Sequence, residues 1–217
     1  MNNKILVTRP SYDDATSYCF YYAGLIIKEA ENKGINVYDL KNPNLTQKSF
    51  AKVMEEKSPL FVFFNSHGDE KTVYGDKVEG EEEVLVQEGK NHHLLDSKLV
   101  YSRTCLSASS LGKACTGGCF IGYNMPFSFY VDDNWSTKPA NDSTAKIFFE
   151  PSNIIASSII KGNTASAAVN RSLAMSQKTI LRLLKEKTEP GSMVCVRLLW
   201  NNMQATTIEG DREMKFE

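Results

Sequence analysis

Residues 60–64 (LFVFF) are apolar at every position and run directly into Asn65-Ser66-His67-Gly68. A strand with no polar alternate needs cover on both faces, which it finds at the centre of a parallel sheet packed between two layers. This one run therefore predicts an α/β chain with helices above and below the sheet.

The flanking sequence alternates as such a sheet requires. Lys4–Thr8 reads as a first strand. Ser11 is placed to cap the helix that follows, with Asp13 and Asp14 in its first turn, where the helix dipole favours anions. Ala15, Tyr18, Cys19, Tyr22, Ile26 and Ala30 recur at helical spacing, and Gly34 ends the run. Residues 35–40 form a second strand. Thr46 caps a helix carrying Phe50, Val53 and Met54, stopped at Ser58-Pro59. Residues 69–90 are charged and glycine-punctuated around Val84-Leu85-Val86, which predicts a hairpin projecting from the sheet, free enough to act as a flap. Residues 92–98 form a turn or short helix. Residues 99–104 give a fourth strand ending at Cys105, residues 106–114 a helix, and Cys119–Tyr123 a fifth strand. An aromatic and acidic loop spans 126–140. Helices follow at 146–160 and 164–187, the latter ended by Pro190-Gly191. Residues 193–200 read as a sixth strand, and 203–208 as a candidate for one more. The expectation is one domain over 1–217, with about six mostly parallel strands and the 69–90 hairpin as its insertion.

Length and charge narrow the function. At 217 residues the chain can bury a core without metal or disulfide staples. Its 25 basic and 26 acidic residues leave a net charge of −1, which argues against a nucleic-acid partner. The uncharged stretch 114–131 contains Gly117, Gly118, Gly122 and Pro126, so it reads as strand and turn, and no membrane association is expected. Residues 1–10 offer only Ile5, Leu6 and Val7 as an apolar run, too short for a secretory signal. The five scattered cysteines then read as free thiols in a cytoplasmic protein.

In an α/β sheet, chemistry collects where strands end. No glycine-rich dinucleotide fingerprint, phosphate loop, zinc-peptidase motif or nucleophile elbow is present. Two strand ends remain. His67-Gly68 closes the third strand and Cys105 the fourth. If those strands are neighbours, a base and a thiol share one crevice. A helix starting at Cys105 would lower the thiol pKa, and Gly68 would let the backbone turn an N–H toward a developing oxyanion. Each residue has a plainer reading, Cys105 as a small buried hydrophobe and His67 as a loop anchor. Zinc competes through Cys105, Cys115, Cys119, His92 and His93, although their spacing fits no standard site. Asp13 and Asp14 suit a receiver-like acidic pocket, but the third strand of a receiver should end in Asp, where this one leads to His67.

On segments 60–68 (LFVFFNSHG) and 99–105 (LVYSRTC), with Ser107 following, the chain resembles the caspase-like (clan CD) cysteine peptidases, and within them the bacterial CHAT and gingipain/clostripain-like branches. The strand CFIGY at Cys119–Tyr123 and the long helix after Gly162 agree with it. The resemblance implies a three-layer caspase-like sandwich and a cysteine endopeptidase. In that reading His67 is the general acid–base, Cys105 the nucleophile, and the backbone N–H groups of Gly68 and Cys105 hold the oxyanion. It implies a dyad needing no third carboxylate, no metal and no cofactor, acting on a protein or peptide substrate, with a regulatory protein partner possible. The alternative is a non-catalytic interaction subunit on the same fold. Substrate choice divides two ways. Arg103, two positions before Cys105, and Arg9, just past the first strand, would select an acidic residue before the cut. If Arg103 instead turns aside to pair with Asp13, Asp14, Asp132 or Asp133, the pocket is neutral or acidic, and Asp132 or Asp133 in it would favour a basic residue.

Overall fold

The computed structural model describes residues 3–135, 138–186 and 191–216. Strands β1 (Lys4–Thr8), β2 (Asn36–Leu40), β3 (Phe61–Phe64), β6 (Leu99–Ser102), β7 (Cys119–Tyr123) and β8 (Thr206–Gly210) form one sheet in the order β2-β1-β3-β6-β7-β8. All pairings are parallel except β7–β8. β4 (Thr72–Val78) and β5 (Glu81–Gln87) make a separate antiparallel hairpin. The helices are α1 (Asp14–Asn32), α2 (Gln47–Lys57), the short α3 (Leu111–Ala114), α4 (Ser143–Ile159), α5 (Ala165–Glu186) and α6 (Ser192–Ala205).

Side chains alternate across a strand, so β3 feeds two cores. Phe61 and Phe63 join Ile5, Val7, Leu99 and Tyr101 beneath α1 and α4. Val62 and Phe64 join Leu6, Val100 and Phe120 on the other face, beneath α2 and the hairpin. All four β3 side chains are fully buried. Each such side chain contributes about 1.5–3 kcal/mol from burial alone. The Phe63 ring stacks on Tyr101 at 5.0 Å, and the Tyr101 hydroxyl is satisfied by Tyr123 at 3.0 Å and Ser152 at 2.6 Å.

Several expectations are corrected. Residues 193–200 are not a strand but lie within α6. Cys195, Leu199 and Met203, among its buried residues, recur at a spacing of four that is helical, whereas the valines around Cys195 suggested a strand. The sixth strand is β8, at the sheet edge. Residues 106–114 are mostly turns: Leu106 has a φ of 59°, in the left-handed region, and only the four residues of α3 are helical. Cys105 therefore has no helix N-terminus behind it. Ser11 does not cap α1. Asp13 does, its carboxylate accepting from the Thr16 N–H at 2.7 Å. The hairpin is not a free flap, because Val73, Leu85 and Val86 are fully buried against the α2 side of the sheet and only its turn, around Val78, is exposed. Lys187 and Pro190, expected to finish α5, lie outside the described residues.

Candidate active site

β3 and β6 are hydrogen-bonded neighbours with Phe64 opposite Ser102. Three residues beyond each of these lie His67 and Cys105, so parallel strands in register deliver both side chains to one rim. They line a small cavity of about 70 Å3 walled by Cys19 of α1 and by Phe127 and Phe129 of the loop after β7.

Gly68 makes this rim possible. A Cβ there would stand 2.9 Å from both Thr104 Cβ and the Thr72 carbonyl oxygen, so only glycine lets the chain after β3 cross close to the chain after β6. The Asp69 N–H donates to Thr72 O at 2.9 Å and the Tyr74 N–H to His67 O at 3.1 Å, tying the His67 backbone to the base of the hairpin.

His67 is oriented by a residue the sequence reading did not assign to it. Its Nε2 lies 2.8 Å from Asp13 Oδ2. Burial works to raise the Asp13 carboxyl, but the Thr16 N–H and hydroxyl and the His67 ring outweigh it and hold it below the ordinary carboxylate value. One carboxylate thus caps α1 through Oδ1 and grips the imidazole through Oδ2. The Asp-x-x-Thr spacing of a capping box was visible in the sequence; its reach across 54 residues to His67 was not. Tyr12 packs beside this pair, its ring 6.0 Å from that of His67, and the hairpin braces Tyr12 through a Glu82 hydrogen bond and the Lys77 ammonium over its ring at 5.0 Å.

Cys105 is half-buried, and its Sγ hydrogen bond runs to Phe127 O at 4.0 Å. Burial pushes its thiol above the ordinary range, with the Phe127 contact opposing. Cys19 behind it is buried, and burial pushes its thiol up to about 11, which makes it inert by comparison.

Arg103 reaches the cavity from below, and no acid among the described residues pairs with it. It is 1% exposed, stacked between the Phe63 and Phe149 rings at 5.1 Å from each. It donates to Asn153 Oδ1 at 2.8 Å, Ser152 Oγ at 3.3 Å, Cys19 O at 3.5 Å and Asn65 Oδ1, all neutral, while its Nε has no partner among the described residues. Arg9 does not come to the cavity: Asp39 binds it at 2.6 and 2.7 Å, and it lies over the Phe20 ring. Asp132 is likewise elsewhere, its carboxylate accepting from Asn134 within its own turn. The side chain of Asp133 lies outside the described residues. The zinc ligands do not converge. Cys115 Sγ donates to Leu111 O at 3.3 Å, and no group of three or more metal-ligating side chains occurs among the described residues.

No protein-family model matches the chain, and no curated protein matches it. Solved structures do. The six-stranded, mostly parallel sheet with helices on both faces matches the caspase-like α/β fold. Within that fold the chain is similar to gingipain R, an Arg-specific cysteine proteinase, with a TM-score of 0.63 at 11% identity. The match covers 98% of this chain and 47% of the gingipain chain, so this chain spans about half the length of that structure.

Proposed function

We propose that this chain is a cysteine endopeptidase, read as one caspase-like domain carrying the 69–90 hairpin and placed with the gingipain/clostripain-like and CHAT branches. The observation that carries the reading is the convergence of His67 and Cys105 on one cavity from adjacent, in-register strands. The likeness to gingipain R supplies the fold and adds support by analogy only.

In this reading the scissile carbonyl enters between the two side chains. The Cys105 thiol gives up its proton through His67, and Sγ bonds to the carbonyl carbon. The N–H groups of Gly68 and Cys105 hold the resulting oxyanion. The C–N bond then breaks as His67 returns a proton to the amine, leaving a thioester. Water attacks the thioester, the acid product leaves, and the thiol is restored. Asp13 steadies the imidazole through Nε2, leaving the other ring nitrogen for the proton transfers. No step requires a metal or an organic cofactor.

The small cavity, with no acidic side chain among its described lining residues and an unpaired guanidinium beneath it, favours an acidic over a basic residue before the cut. The substrate is a protein or peptide. No helix among the described residues is long and apolar enough to cross a membrane, and all five cysteines are free, which fits a cytoplasmic setting.

A second reading, a non-catalytic interaction subunit, draws on the raised Cys105 thiol and on its hydrogen bond to Phe127 rather than to His67. A peptidyl acyloxymethyl ketone separates the two. The peptidase reading expects one covalent adduct, mapped to Cys105 and lost in His67→Ala. Equal labelling of Cys115, or none at all, supports the second reading.

A further inference from the structure

A groove of about 770 Å3 runs along the outside of the molecule between α4 and α5, and the cleft chemistry makes no use of it. Its floor and one wall come from a stripe of α5 in which Ala174, Lys178, Leu181 and Lys185 recur at intervals of four, three and four, so they share one helix face. Ile147 and Glu150 of α4 make the other wall. Leu181 stands 59% exposed on this face, an unusual place for a leucine flanked by cations.

The charge on the groove is one-sided although the whole chain is nearly neutral. Lys178, Arg182 and Lys185 line it, and Lys178 and Lys185 enter no ion pair among the described residues. Among the described lining residues Glu150 is the one acid, and Lys146 engages it at 3.5 Å. An apolar trough edged by Lys178 and Lys185 is complementary to a segment with leucine-like anchors on one side and carboxylates beside them. The surface is a hollow between two helices, which suits a rod of side chains better than a bilayer.

We propose that the α4–α5 groove docks an acidic amphipathic helix of a partner protein. Apolar side chains of that helix enter beside Leu181, and its carboxylates meet Lys178 and Lys185. The proposal stands independently of peptidase activity, since it concerns binding on a separate face.

Panning a display library of short peptides on the intact chain tests it, with the Lys178→Glu/Lys185→Glu chain as counter-target. Both lysines and Leu181 are exposed, so these substitutions leave the core untouched. The expected result is enrichment of peptides with apolar residues at helical spacing flanked by Asp or Glu. Their binding should fall about tenfold or more on the double variant and on Leu181→Asp, and weaken as salt is raised. Enrichment without acidic bias, binding that ignores the three substitutions, or no enrichment over the counter-target overturns the proposal. So does binding to phosphatidylserine vesicles in the absence of acidic peptides, which would reassign the face to lipid.

Discussion

The Asp13 carboxylate lies 2.8 Å from Nε2 of His67 and simultaneously caps the helix that begins one residue later. The start of α1 and the orientation of the imidazole are therefore one structural event. Asp13→Asn separates the two roles, because asparagine caps a helix about as well as aspartate but carries no charge. Turnover should fall at least about tenfold with KM little changed, while Tm stays near wild type. Asp13→Ala loses the cap as well, at a cost of about 1 kcal/mol, and Tm should drop. Steady-state kinetics beside thermal melts check this; equal activity in Asp13→Asn and wild type contradicts it.

The Cys105 thiol is raised by burial, so in the free protein the thiolate is the minor form at neutral pH. Its rate of alkylation by iodoacetamide should be low at pH 7 and climb steadily beyond about pH 8.5, the ordinary thiol midpoint. A rate already at its plateau at pH 7 would mean a depressed thiol pKa, the opposite sign.

Gly68→Ala places a methyl 2.9 Å from Thr104 Cβ and from the Thr72 carbonyl oxygen. Neither atom is the end of a flexible side chain, so the rim must open. The expected cost is about 1–3 kcal/mol, typical of an overpacked site, together with loss of His67 alignment. Denaturant unfolding and peptidase turnover should both register it. Gly34→Ala is the control: nothing lies within 4 Å of its added Cβ, although its φ of 71° carries a local backbone penalty.

Arg103→Met keeps an unbranched apolar stem in the buried site and deletes the guanidinium with its charge. The neutral cage of Asn65, Asn153 and Ser152 loses its donor, so stability should fall by about 1–3 kcal/mol. In a fluorogenic panel, wild type should prefer Asp over Asn before the reporter and reject Arg and Lys. The variant should lose the Asp-over-Asn preference. Cleavage by wild type after Arg or Lys would contradict the cavity assignment.

The sheet was legible wherever one strand carried its own signature. Residues 60–64, short and bounded by Ser58-Pro59 and His67-Gly68, read as a buried central strand, and His67 and Cys105 follow from where β3 and β6 stop. The misread elements share a cause. At 193–200 a short apolar stretch carrying Val194 and Val196 does not separate helix from strand, and the helical spacing of Cys195, Leu199 and Met203 is completed only at Met203, beyond that window. At 106–114 small residues permit helix or turns, and the left-handed Leu106 chose turns. The arginines were placed by position along the chain, but their fate depended on distant partners. Asp39 sits 30 residues from Arg9, and Asn153 sits 50 from Arg103. Asp13 was seen as a helix-start residue and missed as the partner of His67 for the same reason.

The central claim rests on Cys105 and His67 acting together on a peptide bond. The most direct measurement is the digestion of a peptide library by wild type, Cys105→Ala and His67→Ala proteins of matched Tm, read by mass spectrometry. New peptide termini are expected with wild type, none with Cys105→Ala, and turnover lower by at least about 10²-fold with His67→Ala. Cleavage that survives in Cys105→Ala, or a folded wild-type protein that cuts nothing in the library, would contradict it.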